Sequence, residues 1–184
     1  MIYFVRHGVT DWNENLNSNG IKSAKCQGIA NIPLNQNGIN QANELAKLLN
    51  NIHFDKVFCS PLTRALQTCE IIVGNLENVT IDQRIIERDF GEFEGLTKEE
   101  FDYLDFCNAN SKNKYNAESV KSIRDRVFDF LDSIKNYKDE NILIVSHGGV
   151  GCIFLSYFDG EPKDGNYINF LVPHGKPIIR NFNE

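Results

Sequence analysis

The sequence predicts an α/β protein of three layers, with helices on both faces of a mainly parallel central sheet. Three observations carry that prediction. Short apolar runs alternate with longer helical periods along the whole chain, the pattern of successive βαβ units. Two of the runs, Ile2–Val5 and the Ile142–Val145 of Asn141–Val145, are apolar without alternation, as strands buried on both faces are. No repeat or linker breaks the pattern, and 184 residues fit one domain spanning 1–184, since domains cluster near ~100–150 residues.

The elements follow in order. Ile2-Tyr3-Phe4-Val5 is a strand that ends in Arg6-His7-Gly8. Residues 10–36 show no period and contain Asn13, Asn15, Asn17 and Asn19, so they read as a long irregular loop. From Gly38 to Asn51, Ile39, Ala42, Leu45, Ala46 and Leu49 recur at helical spacing and give a one-sided helix. Lys56-Val57-Phe58-Cys59 is a second strand. Ser60-Pro61 then reads as a helix cap with proline in the first turn, for a helix carrying Leu62, Ala65, Leu66, Cys69 and Ile72 inward and stopping near Gly74. Val79-Thr80-Ile81 is a third short strand. Thr97-Lys98-Glu99-Glu100 resembles a capping box for a helix through about Phe106, and residues 107–116 form a polar loop. Glu118 to Tyr137 has the longest helical period. After the strand at 141–145 comes Ser146-His147-Gly148-Gly149 and an apolar helix to about Phe158. Ile168–Val172 and Ile178–Phe182 flank Pro173-His174-Gly175-Lys176 as a terminal hairpin.

Composition narrows the function. Nineteen basic against 25 acidic residues give a net charge of −6, which disfavours a nucleic-acid binder, whose surface would be basic. The five cysteines are irregularly spaced with no Cys-x-x-Cys pair, so neither a zinc ribbon nor a dithiol redox site is expected. There is no secretory leader pattern at the start and no apolar run near the ~18 residues of a membrane span. A reduced, cytoplasmic protein acting on a small molecule is the expectation.

Polar residues collect where such folds bind ligands. In open α/β sheets the site lies beyond the carboxyl ends of the strands. Arg6-His7-Gly8, then Ser60 leading to Arg64, then Ser146-His147-Gly148 all reach that edge. Two histidines and two arginines make a cationic pocket, and no acid accompanies the histidines as it would in a metal site. Arginine's planar fork matches phosphate oxygens, and glycines beside each histidine expose backbone N–H groups to an anion.

With these residues in view the chain resembles the histidine phosphatase superfamily, also called phosphoglycerate mutase-like. The resemblance rests on Arg6-His7-Gly8-Val9-Thr10 with Asp11-Trp12-Asn13, and on Gln27-Gly28 with Pro33-Leu34. It continues in Ser60-Pro61-Leu62-Thr63-Arg64-Ala65-Leu66-Gln67-Thr68, in the segment from Glu87-Arg88 to Gly95, and in Ser146-His147-Gly148-Gly149. It implies a phosphoglycerate mutase-like fold. It implies further that His7 is a nucleophile forming a phosphohistidine and that Glu87 is the general acid. Arg6, Arg64 and His147 would hold the phosphoryl group, with Asn13, Gln27, Gly28, Gly148 and Arg88 on the substrate side. No metal or cofactor is expected, and the substrate would be a small phosphorylated metabolite; the oligomeric state is not legible. The chain departs from the family pattern at Val9, where Glu or Gln is usual, at Lys25, where Arg is common, and in a longer loop over 14–26. Glu92 and Glu94 read as structural or solvated, and His53 and His174 as surface residues. A phosphatase is favoured over a mutase because the 101–117 stretch is short and offers only Lys112 and Lys114. A non-catalytic phospho-ligand binder is the reading from another class.

Overall fold

The computed structural model of the chain describes residues 1–16, 19–112, 116–170 and 172–182; Asn17, Lys114 and Leu171 lie outside them. Four parallel strands and one antiparallel edge strand form the sheet. They are β1 (Ile2–Arg6), β2 (Lys56–Cys59), β3 (Val79–Ile81), β4 (Ile142–Ser146) and β5 (Ile178–Arg180), in the order β3-β2-β4-β1-β5. Side chains alternate across the strands, and each set meets a different layer. Val5, Cys59, Leu143 and Val145 pack on α1 (Gln36–Leu49) and α2 (Thr63–Val73) through Leu45, Leu49, Ala65 and Cys69. Ile2, Phe4, Phe58, Ile142 and Ile144 pack on the other face. There they meet α4 (Val120–Ile134) and α5 (Gly148–Asp159) through Val127, Phe130, Ile153 and Phe154. A short α3 (Tyr103–Phe106) lies between β3 and α4. The three-layer expectation is therefore met.

Several boundaries differ from those expected. The first helix opens at Gln36, capped by the Asn35 side chain accepting from the Gly38 N–H at 2.9 Å. The second opens at Thr63 rather than after Ser60, because Ser60 turns its hydroxyl to a histidine and Asn31 caps the Thr63 N–H from another loop at 2.8 Å. It does stop at Gly74, whose φ of 87° is the left-handed termination that glycine allows. Half of the expected capping box forms, with Glu100 accepting from the Thr97 N–H at 2.6 Å. The residues after it turn without becoming helix until Tyr103. Among the described residues the expected terminal hairpin does not form: β5 pairs antiparallel with β1 instead, Phe4 opposite Ile178, while Tyr167–Asn169 is a 3-10 turn that buries Tyr167. The edge of β1 was open to a strand, and the turn finds its apolar partners on α5.

Candidate active site

Strand register builds the site. Arg6 of β1 lies opposite Ser146 of β4, and Cys59 of β2 lies opposite Val145. The next residue of each strand is thus delivered to one edge at one height: His7 N–H donates to Ser146 O at 2.9 Å, and Ser60 N–H to Val145 O at 3.0 Å. The rings of His7 and His147 come within 5.2 Å, centroid to centroid.

The hydrogen bonds on His7 assign its tautomer. Nδ1 lies 2.6 Å from Gly8 O, so it carries the proton. Nε2 then keeps its lone pair, and Arg64 Nε donates to it at 3.2 Å. Burial, then the charges of Arg64 and Arg6, hold the His7 pKa well below 6.5, leaving the ring neutral. Arg64 is fully buried in the first turn of α2. Its other nitrogens donate to Ala30 O at 2.7 Å and Gly28 O at 2.6 Å. Burial lowers its pKa only to about 10, so it remains a cation.

His147 is held differently. Its Nε2 is 2.6 Å from Ser60 Oγ, and its buried Nδ1 has no partner. Arg6 donates to Val172 O at 3.0 Å through Nη1, and its Nε is also unpartnered. Gln27 is the third: Oε1 accepts from Thr10 Oγ1 at 2.9 Å, while Nε2 is buried without an acceptor. Among the described residues these are the three buried side-chain nitrogens left without a partner. All three belong to residues expected at this site, and two of them, Arg6 Nε and Gln27 Nε2, are donors short of an acceptor. Asn13 adds to the same wall, its Oδ1 fixed by Thr10 N–H at 3.0 Å. Gly148 stands at the first position of α5, where a backbone N–H has no intrahelical acceptor.

Glu87 is 5% exposed and faces this group. Its oxygens accept from the N–H of Arg88 and of Gly149, each at 2.9 Å. A Cβ at Gly149 would sit 2.5 Å from Glu87 Oε1, so only glycine lets the carboxyl approach the helix end. Arg126 of α4 clamps the segment from behind, donating to Arg84 O, Ile86 O and Glu87 O.

Four expectations change. Arg88 spends its guanidinium on Glu118 O (2.6 Å) and Phe106 O (2.7 Å) and stacks on Phe106, so it braces the cavity wall. The Gly28 N–H is taken by Glu94 at 3.0 Å and the Gly8 N–H by Thr68 Oγ1 at 3.1 Å, so neither faces an anion. His174 is no surface residue. Its Nδ1 lies 2.7 Å from His7 O, its ring 5.5 Å from that of His7, and burial, then Arg6, lowers its pKa to about 4. His53, by contrast, is exposed. Sequence reasoning also missed Thr68 and Arg126 as supports, while Glu94 is structural as expected, bracing the loop at Gly28. Thr68 alone had a local signal, lying one helical turn after Arg64. Val9, the departure from the family pattern, is buried and offers its N–H to Gln41 at 3.0 Å.

Of these groups Arg6, His7, Asn13, Gln27, Glu87, Gly148 and Gly149 line a cavity of about 280 Å³, with Arg64 and His147 fully buried behind His7. Two cationic arginines, neutral histidines and free N–H donors suit an anion with several oxygens beside a neutral nucleophilic nitrogen and a carboxyl. Among the described residues no group of three or more His, Cys, Asp or Glu is placed to hold a metal ion, and no helix is long and apolar enough to cross a membrane.

The chain is similar to known proteins. The chain is 33% identical over 166 residues to a Bacillus subtilis protein named uncharacterized phosphatase PhoE, covering 88% of this chain and 79% of that one. It is 30% identical over a 224-residue alignment to the 2,3-bisphosphoglycerate-dependent phosphoglycerate mutase of Buchnera aphidicola, covering 98% and 93%. That alignment is longer than the 184 residues here, so the mutase carries residues this chain lacks. The α-ribazole phosphatase of Shigella flexneri superposes at a TM-score of 0.78 and 27% identity, covering 100% of this chain and 96% of that one. The fold is thus phosphoglycerate mutase-like, and the relatives support phosphatase activity in general. Residues 2–172, which hold β1 with its histidine, the buried arginine of α2, the acid segment and the His147 turn, match the histidine phosphatase superfamily (branch 1), and the chain belongs to that family.

Proposed function

We propose that the protein is a phosphomonoesterase that hydrolyses a small phosphorylated metabolite through a phosphohistidine on His7. The observation that carries this reading is the tautomer of His7: a neutral ring on the cavity wall, protonated on Nδ1, whose Nε2 keeps its lone pair. In the ligand-free protein Nε2 accepts from Arg64 Nε, a hydrogen bond that passes to a phosphoryl oxygen as Nε2 attacks. In the first step Nε2 attacks phosphorus and the ester P–O bond breaks. The leaving alkoxide takes a proton from Glu87. In the second step Glu87 takes a proton from water as the water oxygen bonds phosphorus, and the P–N bond breaks to return His7 and inorganic phosphate. Phosphoryl transfer asks chiefly for positioning and charge stabilisation. Arg6, Arg64 and His147 Nδ1 supply these, with Gln27 Nε2, Asn13 and the Gly148 N–H as further donors. Ser60 acts on His147: donating to Nε2, it leaves the proton on Nδ1, the nitrogen without a partner.

Hydrolysis is favoured over transfer by what the mutase has and this chain lacks in alignment length. In this mechanism no metal ion or cofactor takes part. Brief mixing with a phosphomonoester and acid-free quenching should trap a base-stable, acid-labile phosphoryl group on His7. His7→Ala should lose both adduct and turnover while its thermal midpoint stays close to that of the parent. Turnover above a tenth of the parent in His7→Ala, or loss of activity in EDTA restored by a divalent ion, would contradict the mechanism. Absence of turnover with any phosphomonoester would favour the binder.

A further inference from the structure

The cavity continues past the phosphoryl end into a wall of a different character. Phe90, Tyr103, Cys107, Cys152, Ile168 and Phe170 line it. Phe90 and Tyr103 belong to an aromatic cluster with Phe93, Phe101 and Phe106, ring against ring at 4.2–6.4 Å, so this wall is preformed.

Polar groups in the same wall are already engaged. Arg88 serves two backbone carbonyls. The Tyr103 hydroxyl bonds the Cys107 side chain. Tyr167, also on the wall, gives its hydroxyl to Glu161 at 2.6 Å, and the Cys152 thiol donates to Phe170 O at 2.9 Å. The remaining charges, Lys25 and Lys98, lie against Trp12 and Tyr103, and Lys98 is exposed to water. An alcohol rich in hydroxyls would bury them here without partners, at a cost of about tenfold in affinity for each. An apolar or aromatic body would lose nothing and would cover the wall. The volume, about 280 Å³ including the phosphoryl end, is at the lower limit of small-molecule sites.

Resting on the phosphomonoesterase reading, we infer that the alcohol released is a small aromatic or branched apolar one and not a polyol. Phosphosugars are thereby disfavoured as the natural substrate.

The test compares esters of primary alcohols, so that leaving groups stay similar: 2-phenylethyl phosphate, glycerol 1-phosphate and glucose 6-phosphate, with p-nitrophenyl phosphate as a general reporter. The polyols are the slightly better leaving groups, which works against the expected order. kcat/KM for 2-phenylethyl phosphate should exceed that for either polyol ester by at least tenfold. In Ile168→Asn, which puts an amide in the wall at a half-buried position, that gap should narrow at least threefold. Equal or better use of the polyol esters overturns the inference while leaving the phosphatase reading intact. So does a gap that is unaltered in folded Ile168→Asn. Should that variant not fold, the comparison on the parent protein decides. No turnover of any of the four esters would overturn the phosphatase reading, and the inference with it.

Discussion

At the scale of single residues, the site is distinguished by histidines kept neutral. His7 and His147 are buried beside two arginines, and burial first, the cations second, hold both well below 6.5. His174 is lowered to about 4. Each lowered value links pH to stability. As pH falls through 6.5 the unfolded chain takes up protons that the folded chain refuses. The stability these groups contribute is therefore complete above 6.5 and declines below it, for His174 down to about pH 4. Each such group adds about 1.4 kcal/mol per pH unit to the slope within its window. The ring resonances of His7 and His147 in the ligand-free protein should show no inflection near 6.5, and the thermal midpoint should drop steadily below that pH. His174→Gln keeps a donor for His7 O and removes one titration, so its acid limb should be flatter than the parent's. A His7 inflection at 6.5 or above would contradict the burial-driven lowering and the acid-side loss of stability drawn from it.

Single elements carry the supports. The loop 28–30 has no regular structure, yet two of its carbonyls aim Arg64, so something must hold it. Glu94 does: its carboxylate accepts from Gly28 N–H at 3.0 Å, Ile29 N–H at 2.8 Å, Ala30 N–H at 3.4 Å and, on its own segment, Phe90 N–H at 3.2 Å. Glu92, two residues earlier, is exposed and among the described residues accepts from the Asn116 amide, at 2.8 Å. Glu94→Gln replaces an acceptor oxygen by a donor facing N–H groups. It should lower stability by about 1–3 kcal/mol, and kcat/KM by tenfold or more as Arg64 loses its fixed carbonyls. Glu92→Gln should be close to neutral in both. Denaturant midpoints and steady-state rates of the pair check this, and equal effects would remove Glu94 from the support of Arg64. Composition does not separate these two glutamates. Both sit in one glutamate-rich turn, and only the fold of 28–30 over residues 90–94 distinguishes them.

For the whole molecule, the sheet is the rigid frame and its centre sets the stability. Phe4 of β1 is 1% exposed and stacks on Phe154 of α5 at 4.8 Å. Phe4→Ala should cost about 3–5 kcal/mol, the usual range for a buried aromatic truncated in a core. Because the same strand ends in Arg6 and His7, activity per folded molecule should fall as well. A urea midpoint implying less than ~1 kcal/mol would show that the core repacks. All five strands and the long helices were legible in the sequence because their signals are local. An apolar run long enough for one strand, or a one-sided helical period, is written in residues a few positions apart, whichever distant surface it later packs on. His7 and His147 were legible for the same reason, each following a strand directly. The terminal strand's partner was not, since 178–180 pairs with whichever edge is open. The contacts that shape the chemistry also join distant positions: Glu87 meets Gly149 across 62 residues, and His174 meets His7 across 167. No periodicity records such pairs. By itself the sequence determined the elements and the reactive residue types at their ends. The tertiary structure decided strand order, the tautomer of His7, which glutamate faces the pocket and which braces a loop, and the apolar wall beyond, because each depends on which surfaces packing brings together.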